Sequence, residues 1–343
     1  LFGIEAEERA IAELSAEARL QHILNGIKYL VALQCRNQPV AFLIEDLHWL
    51  DARSVAFLHS LAESVTVLPV FLLCSSRPEH TYPWEGRSFT HKMQLAPLPQ
   101  QVTASLFSAL AGESPHDESL RQTVCERSGG NPLFLEELVQ NLRETGALTR
   151  QTTDSFTTSS QTTWTLPPTI QGVLASRLDR LPPTAKSLLQ TAAVIGRETP
   201  LALLAHVIDL TEAELASTLQ LLQARELLYE SVLEPESRYA FKHALTQEVA
   251  YHGLLQDQRM RQHERVGDAI EALFADKLPE QAGLLAYHYS RSTNTTKALH
   301  YSHLAGRHAS ALYADTDAQH YWEECLRLLA TQPQTPERDR QEV

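Results

Sequence analysis

From Glu5 to Leu33 the apolar residues Ile11, Leu14, Ala18, Leu20, Ile23, Ile27, Leu30 and Val31 recur at helical spacing, which predicts one or two amphipathic helices. Pro39 ends that stretch. Val40–Ile44 is a short, wholly apolar run followed by Glu45-Asp46, the pattern of a strand buried on both faces of a parallel sheet. A helix capped by Asp51 is expected from Ala52 to Ser64, and a second apolar strand from Pro69 to Cys74. Strand, helix and strand at this spacing form a βαβ unit and imply a parallel sheet.

After residue 95 the pattern turns helical, with amphipathic segments at Val102–Ala111, Ser119–Arg127 and Pro132–Thr145. Residues 149–165, rich in Thr and Ser, read as a linker. Three further helices are expected at Thr169–Arg180, Pro183–Val194 and Glu212–Ala224, then strand-like pieces at Leu227–Val232 and Arg238–Phe241, and a helix starting near His243. Helices followed by a small hairpin outline a winged helix. From about Pro279 small residues alternate with aromatics, through Ala298, Tyr301, Ala305 and Ala309 and then Ala318, Tyr321 and Leu326, as in a close-packed helical solenoid. The expected architecture is therefore α/β followed by all-α. Its divisions are 1–148, the linker 149–165, 166–275 and 276–343.

Composition narrows the function. A length of 343 residues suits two or three cores. Net charge is −13, which argues against a surface that wraps nucleic acid. Cys35, Cys74, Cys125 and Cys325 are scattered, without metal-ligand pairing or disulfide density, so a reducing cytoplasm is the expected location. Apolar runs such as Val65–Cys74 fall well short of the ~20 residues a membrane helix needs, and no membrane association is expected. No Ser/His/Asp set, zinc spacing or kinase motif series supports proteolytic, nuclease or kinase chemistry.

The chemistry-bearing stretch is VAFLIEDLHWLD, residues 40–51. It places Glu45 and Asp46 at the carboxyl mouth of a strand, where open α/β sheets bind ligands. The bare pattern also describes a buried strand ending in solvated acids; His48-Trp49 and Asp51 shift the weight toward a site. EDLHWLD, SSRPE (75–79) and GGNPLFLEELVQNL (129–142) together resemble the signal-transducing STAND class of P-loop ATPases. The nearest likeness is to the ATPase regions attached to class III adenylate and guanylate cyclases and to large ATP-dependent transcription regulators. LPPTIQGVLASRLDRLPPTAKSLLQTAAVIG (166–196) and YAFKHALTQEVAYHGLL (239–255) are similar to that family's winged-helix region, and 284–309 to the entry of its tetratricopeptide-like (TPR-like) repeats.

The resemblance implies a partial P-loop parallel sheet, ATP and Mg²⁺ as cofactors, and an ATP-dependent regulatory role over an attached effector. By the same resemblance Glu45 is the Mg²⁺-associated acid and Asp46 the acid that polarises the attacking water, with the two roles exchangeable between them. Arg77 is the sensor of the γ-phosphate, or a surface arginine beside a turn. Gly130-Asn131-Pro132 matches the element whose proline packs beside adenine, and Pro132 also suits the first turn of a helix. His243 matches a phosphate-sensing histidine, or is a packed core histidine. ATP and ADP are the expected small-molecule partners, and the C-terminal helical repeats are expected to hold proteins.

One element of the family pattern does not occur. A phosphate-binding loop needs G-x-x-x-x-G-K-[ST], and none of the 13 glycines precedes a lysine. N-terminal truncation of a longer ATPase is the first expectation, this chain alone then being inactive. A non-hydrolysing scaffold for protein partners is the second. DNA contact through the winged helix is the weakest reading, because residues 211–227 carry one Arg against Glu212, Glu214 and Glu226.

Overall fold

The computed structural model describes residues 16–112, 118–148, 167–233, 236–312 and 314–330. The linker expected at 149–165 and the start of the first expected helix lie outside them. The chain is mixed α/β and then helical, and it divides into two compact units, Leu1–Ala96 and Pro97–Val343.

In the first unit α1 (Ala16–Cys35) precedes β1 (Val40–Ile44), α2 (Ala52–Ser64) and β2 (Val70–Cys74). Asp51 caps α2: its Oδ1 accepts the N–H groups of Arg53 and Ser54 at 2.8 and 2.9 Å, satisfying donors that have no partner inside a first turn. The strands pair in parallel, from Val40 opposite Val70 to Ile44 opposite Cys74. Phe42, Ile44, Leu72 and Cys74 pack with Leu47, Leu58 and Leu61. The opposite face differs from the sequence expectation of double burial, since Leu43, Phe71 and Leu73 are 66%, 62% and 54% exposed. Successive strand residues point to opposite faces, and among the described residues the apolar cover gathers on one face only.

The second unit begins with α3 (Gln100–Ala111), α4 (Glu118–Ser128) and α5 (Pro132–Glu144), gathered around Phe107, Val124, Leu135 and Leu138. Next come α6 (Ile170–Asp179), α7 (Pro183–Ile195), β3 (Glu198–Pro200), α8 (Leu201–Val207), α9 (Glu212–Ala224), β4 (Leu228–Leu233), β5 (Glu236–Phe241) and α10 (Ala244–His252). The antiparallel sheet has the order β3-β5-β4. The β4–β5 hairpin falls where the two strand-like pieces are expected. Neither β3 nor α8 was, because both are short and the segment Glu198-Thr199-Pro200 reads locally as a turn.

The chain ends its described part in α11 (Gln256–Leu273), α12 (Leu278–Tyr289), α13 (Thr295–Ala311) and α14 (Asp315–Ala330). Ala298, Tyr301, Ala305, Ala309 and Ala318 are buried as their spacing predicts, but Leu326 is 50% exposed, and Cys325, Leu328 and Leu329 take the inward positions of α14. The expected stripe holds at Ala318 and fails only at Leu326, whose inward place Cys325 takes. Tyr289 is fully buried and stacks on Tyr301 with ring centroids 5.5 Å apart. Its hydroxyl donates to Asp268 at 2.9 Å and accepts from Lys297 at 3.0 Å. The ring fits because residue 267 is glycine: a Cβ there would lie 2.7 Å from it.

Between α10, α11 and α12, His263 and His288 touch through their Nδ1 atoms at 3.0 Å, and the Tyr251 hydroxyl meets His263 Nε2 at 3.0 Å. Burial, with the charge of nearby arginines, lowers His263 to about 4, and burial with the adjoining His263 lowers His288 to about 3. Both imidazoles are thus neutral in the fold at neutral pH.

Two outcomes are expected. Gly267→Ala should destabilise the protein by about 1–3 kcal/mol through overpacking against Tyr289, read from urea midpoints. On unfolding, each imidazole regains an ordinary pKa near 6.5. The unfolded state then binds more protons below that pH, so stability should be level above about 6.5 and fall as pH drops toward about 4. The double variant His263→Gln/His288→Gln should flatten that fall, and an unchanged slope relative to the wild type would refute the assignment.

Candidate functional site

At the carboxyl mouth of the parallel pair the main chain leaves β1 through Glu45 and Asp46. Asp46 is held at φ 55°, ψ 47°, a left-handed conformation that costs a non-glycine residue roughly 1–2 kcal/mol. Ser75, the residue after β2, holds it there. Its hydroxyl accepts the Asp46 N–H at 3.0 Å, its carbonyl accepts the Leu47 N–H at 2.9 Å, and its own N–H donates to the Ile44 carbonyl at 3.0 Å. The two strand ends are thereby locked together, and the turn carries Asp46 to the same edge from which Arg77 leaves β2. Glu45 and Arg77 are exposed and Asp46 half-buried.

Aromatic rings collar this mouth. His48 lies 5.4 Å from Trp49 and 5.6 Å from His80 between centroids, while Tyr82 and Trp84 stack at 5.2 Å. The sequence reading did not find the bracing by Ser75 or the contribution of His80, Tyr82 and Trp84. Ser75 opens the motif SSRPE, but its contact to Asp46 spans a strand crossover that no local pattern reports.

Among the described residues no group of three or more His, Cys, Asp and Glu side chains is placed to hold a metal ion. Glu45 and Asp46 nevertheless offer the hard oxygen donors that suit Mg²⁺, which commonly binds one or two carboxylates and takes its remaining ligands from water and phosphate.

The other candidate residues belong to the second unit. Gly130 has φ 75°, and a Cβ there would sit 2.5 Å from the Leu98 carbonyl oxygen. The close approach is used, since Leu98 N–H donates to the Gly130 carbonyl at 2.8 Å. Asn131 then caps α5, its Oδ1 accepting the Phe134 N–H at 3.1 Å, and Pro132 occupies the first turn, where a missing N–H costs nothing.

One turn further, α5 enters an ionic seam. Arg177, 2% exposed, contacts Glu137 and donates to Glu144 at 3.0 Å and to the Arg225 carbonyl at 2.9 Å. Beside it Lys242 Nζ reaches Glu136 at 2.6 Å and Glu226 at 2.7 Å. His243 follows Lys242 as the N-cap residue of α10. It is half-buried, and its Nε2 has no hydrogen-bond partner among the described residues. Burial first, and then the Lys242 charge, lower its pKa, so it is a neutral imidazole at physiological pH. The structure thus ties the helix that begins at Gly130 and Pro132 to the segment carrying His243, through Glu136 and Lys242.

No family model matches the chain. An uncharacterized protein of Rhizobium meliloti (strain 1021) is 28% identical over 299 residues, which cover 86% of this chain and 28% of that protein. Among solved structures, a Signal Transduction ATPase with Numerous Domains (STAND) protein with a tetratricopeptide repeat sensor, from Pyrococcus horikoshii, superposes with a TM-score of 0.53 at 14% identity. That superposition covers 93% of this chain and 46% of the other. At this identity the likeness is one of fold. The chain spans less than half the length of either protein.

Gly130→Ala should cost more than Gly129→Ala. Both residues have positive φ, yet a Cβ at Gly129 meets nothing within 4 Å. The Gly129 variant should lose roughly 1–2 kcal/mol from the backbone alone, and Gly130→Ala should exceed it because Leu98 must also move. Equal urea midpoints for the two variants would show that the Leu98 contact is not maintained in solution.

Proposed function

We propose that this chain is the switch region of an ATP-regulated signalling ATPase of the STAND class, which governs an attached effector such as a nucleotide cyclase or a transcription regulator. The observation that carries the reading is the mouth of the parallel pair, where Ser75 braces Asp46 at the strand edge that also presents Arg77. The fold likeness to a STAND protein supports it as analogy. In this reading β1–α2–β2 is part of a P-loop sheet, α7–α9 with β3–β5 is a winged helix, and the helices from about residue 276 open a TPR-like array that holds protein partners. The protein works in the cytoplasm.

Bound Mg-ATP would supply the triphosphate whose cleavage drives the switch. Glu45 holds the cation side of the site. Asp46, aimed by its left-handed backbone, accepts the proton of the attacking water. Arg77 distinguishes the triphosphate from the diphosphate by its charge. In the second unit, taken by itself, the resemblance makes Gly130-Asn131-Pro132 the element that packs beside adenine and His243 the phosphate-sensing histidine; the half-buried imidazole, with its unpartnered Nε2, is chemically able to fill that role. The cradle of backbone amides and the lysine of a phosphate loop would come from polypeptide beyond these residues.

The isolated chain should accordingly show no micromolar affinity for Mg-ATP in calorimetry. In a polypeptide extended to include a phosphate loop, Asp46→Asn should leave ATP binding largely intact and lower hydrolysis by roughly 10²–10⁴-fold, the effect of losing a positioned general base. Arg77→Ala should weaken ATP more than ADP, by roughly tenfold or more, as a charge-assisted contact to the γ-phosphate is lost. Equal loss for both nucleotides would make Arg77 a surface arginine. Full turnover in Asp46→Asn would pass the catalytic role to Glu45 or leave the protein a scaffold.

A further inference from the structure

Outside the candidate nucleotide residues, the corner formed by α10, α11 and α12 carries two arginines set against tyrosine rings. His263 sits between two tyrosines, its ring 5.8 Å from Tyr251 and 5.9 Å from Tyr287. Each tyrosine carries an arginine. The Arg259 guanidinium lies 5.2 Å from the Tyr251 ring centre, and that of Arg291 lies 3.9 Å from the Tyr287 ring centre. Arg259 also donates to His252 Nδ1 at 3.3 Å, and Arg291 to the Tyr287 carbonyl at 3.2 Å. Among the described residues neither guanidinium has a carboxylate within ion-pair distance. Glu324, whose charge is felt from Arg291, is held by Arg327 at 2.7 Å.

Two uncompensated arginines are notable on a chain of net charge −13. Several other basic side chains in this unit have found acids: Lys297 has Asp268 and Glu271, Lys242 has Glu136 and Glu226, and Arg177 has Glu137 and Glu144. Stacking on tyrosine fixes a guanidinium's plane while leaving its outer N–H groups free to bind, so little side-chain entropy is lost on engagement. The apolar residues beside them are exposed as well. Leu255 precedes Arg259 by one turn of α11 and is 71% exposed, and Leu284 precedes Tyr287 by one turn of α12.

We propose that this corner is a docking surface for an acidic segment of a protein partner, in which two carboxylates engage Arg259 and Arg291 and apolar neighbours rest on Leu255, Leu284 and the Tyr287 ring. The inference takes from the preceding section only that the helical region holds a protein partner, and it supplies the chemistry of that partner. Charge complementarity selects the occupant. A nucleic acid would also meet the arginines, but its phosphate backbone would extend past them on a chain of net charge −13, whereas a short acidic segment needs only these two sites.

The test uses the chain with a short fluorescein-labelled peptide in which glutamate alternates with leucine and alanine. The same peptide with lysine for glutamate, and an oligothymidylate of similar charge, serve as comparisons. Fluorescence anisotropy should give a dissociation constant between about 1 and 100 μM for the acidic peptide, weakening as salt rises. Arg259→Gln/Arg291→Gln should weaken it at least about tenfold, while Arg307→Gln on α13 should not. Hydrogen exchange with the unmodified chain should show protection confined to residues 251–263 and 284–291 when the peptide is added, which keeps the test independent of how the variants fold.

Absence of binding, binding indifferent to the double variant, or protection elsewhere would overturn the proposal. Tighter, arginine-dependent binding of the oligothymidylate would overturn it in favour of nucleic acid. These outcomes leave the ATPase reading untouched, since that stands or falls on nucleotide measurements at Asp46 and Arg77.

Discussion

A guanidinium shut away from water organises the second unit. Arg177 cannot be buried alone, since an unpaired charge in the interior costs several kcal/mol, and its partners come from three places in the sequence: Glu137 and Glu144 on α5, and the Arg225 carbonyl beyond α9. Satisfying it requires the α3–α5 group, α6 and the sheet-bearing helices to meet in one arrangement. Such a contact adds little net stability compared with an apolar replacement, but it tolerates few alternatives, because loss of one partner leaves a charge stranded. The candidate residues Gly130, Pro132 and His243 inherit their placement from it, through α5 on one side and Lys242 on the other.

At the strand mouth of the first unit the same economy operates on the main chain. Ser75 gives its hydroxyl, carbonyl and N–H to the end of β1, so the unusual backbone of Asp46 is compensated by three hydrogen bonds from one residue. A carboxylate that must meet a water or a cation benefits from a fixed backbone more than from a fixed rotamer, and the turn supplies it.

What could be read in the sequence was what local chemistry determines. The Asp51 cap, Pro132 in a first turn, the two apolar strands and the β4–β5 hairpin follow from propensity and period. The resemblance singled out Glu45, Asp46, Arg77, Gly130, Pro132 and His243 as candidates, though not their surroundings. Contacts that join distant positions escaped: Lys242 to Glu136 is separated by 106 residues, and Arg177 to Glu137 by 40. Leu326 failed for another reason. Residues three, four and seven apart share a helix face, so the inward stripe of α14 runs through Ala318, Cys325 and Leu328, and Leu326, five residues after Tyr321, falls beside it.

The open side of the small parallel sheet bears on how this polypeptide behaves during synthesis. β1 and β2 contain no charged residue, and Leu43, Phe71 and Leu73 face outward, which makes each strand a segment prone to cross-β self-association. The nearest guards are charges at the strand ends: Glu45 and Asp46 after β1, Arg77 after β2. Gatekeeping charges in such positions hold hydrophobic strands apart while a chain is incompletely folded. Charges at the ends of β1 and β2 would on this argument help keep these strands from pairing with other chains before folding is complete.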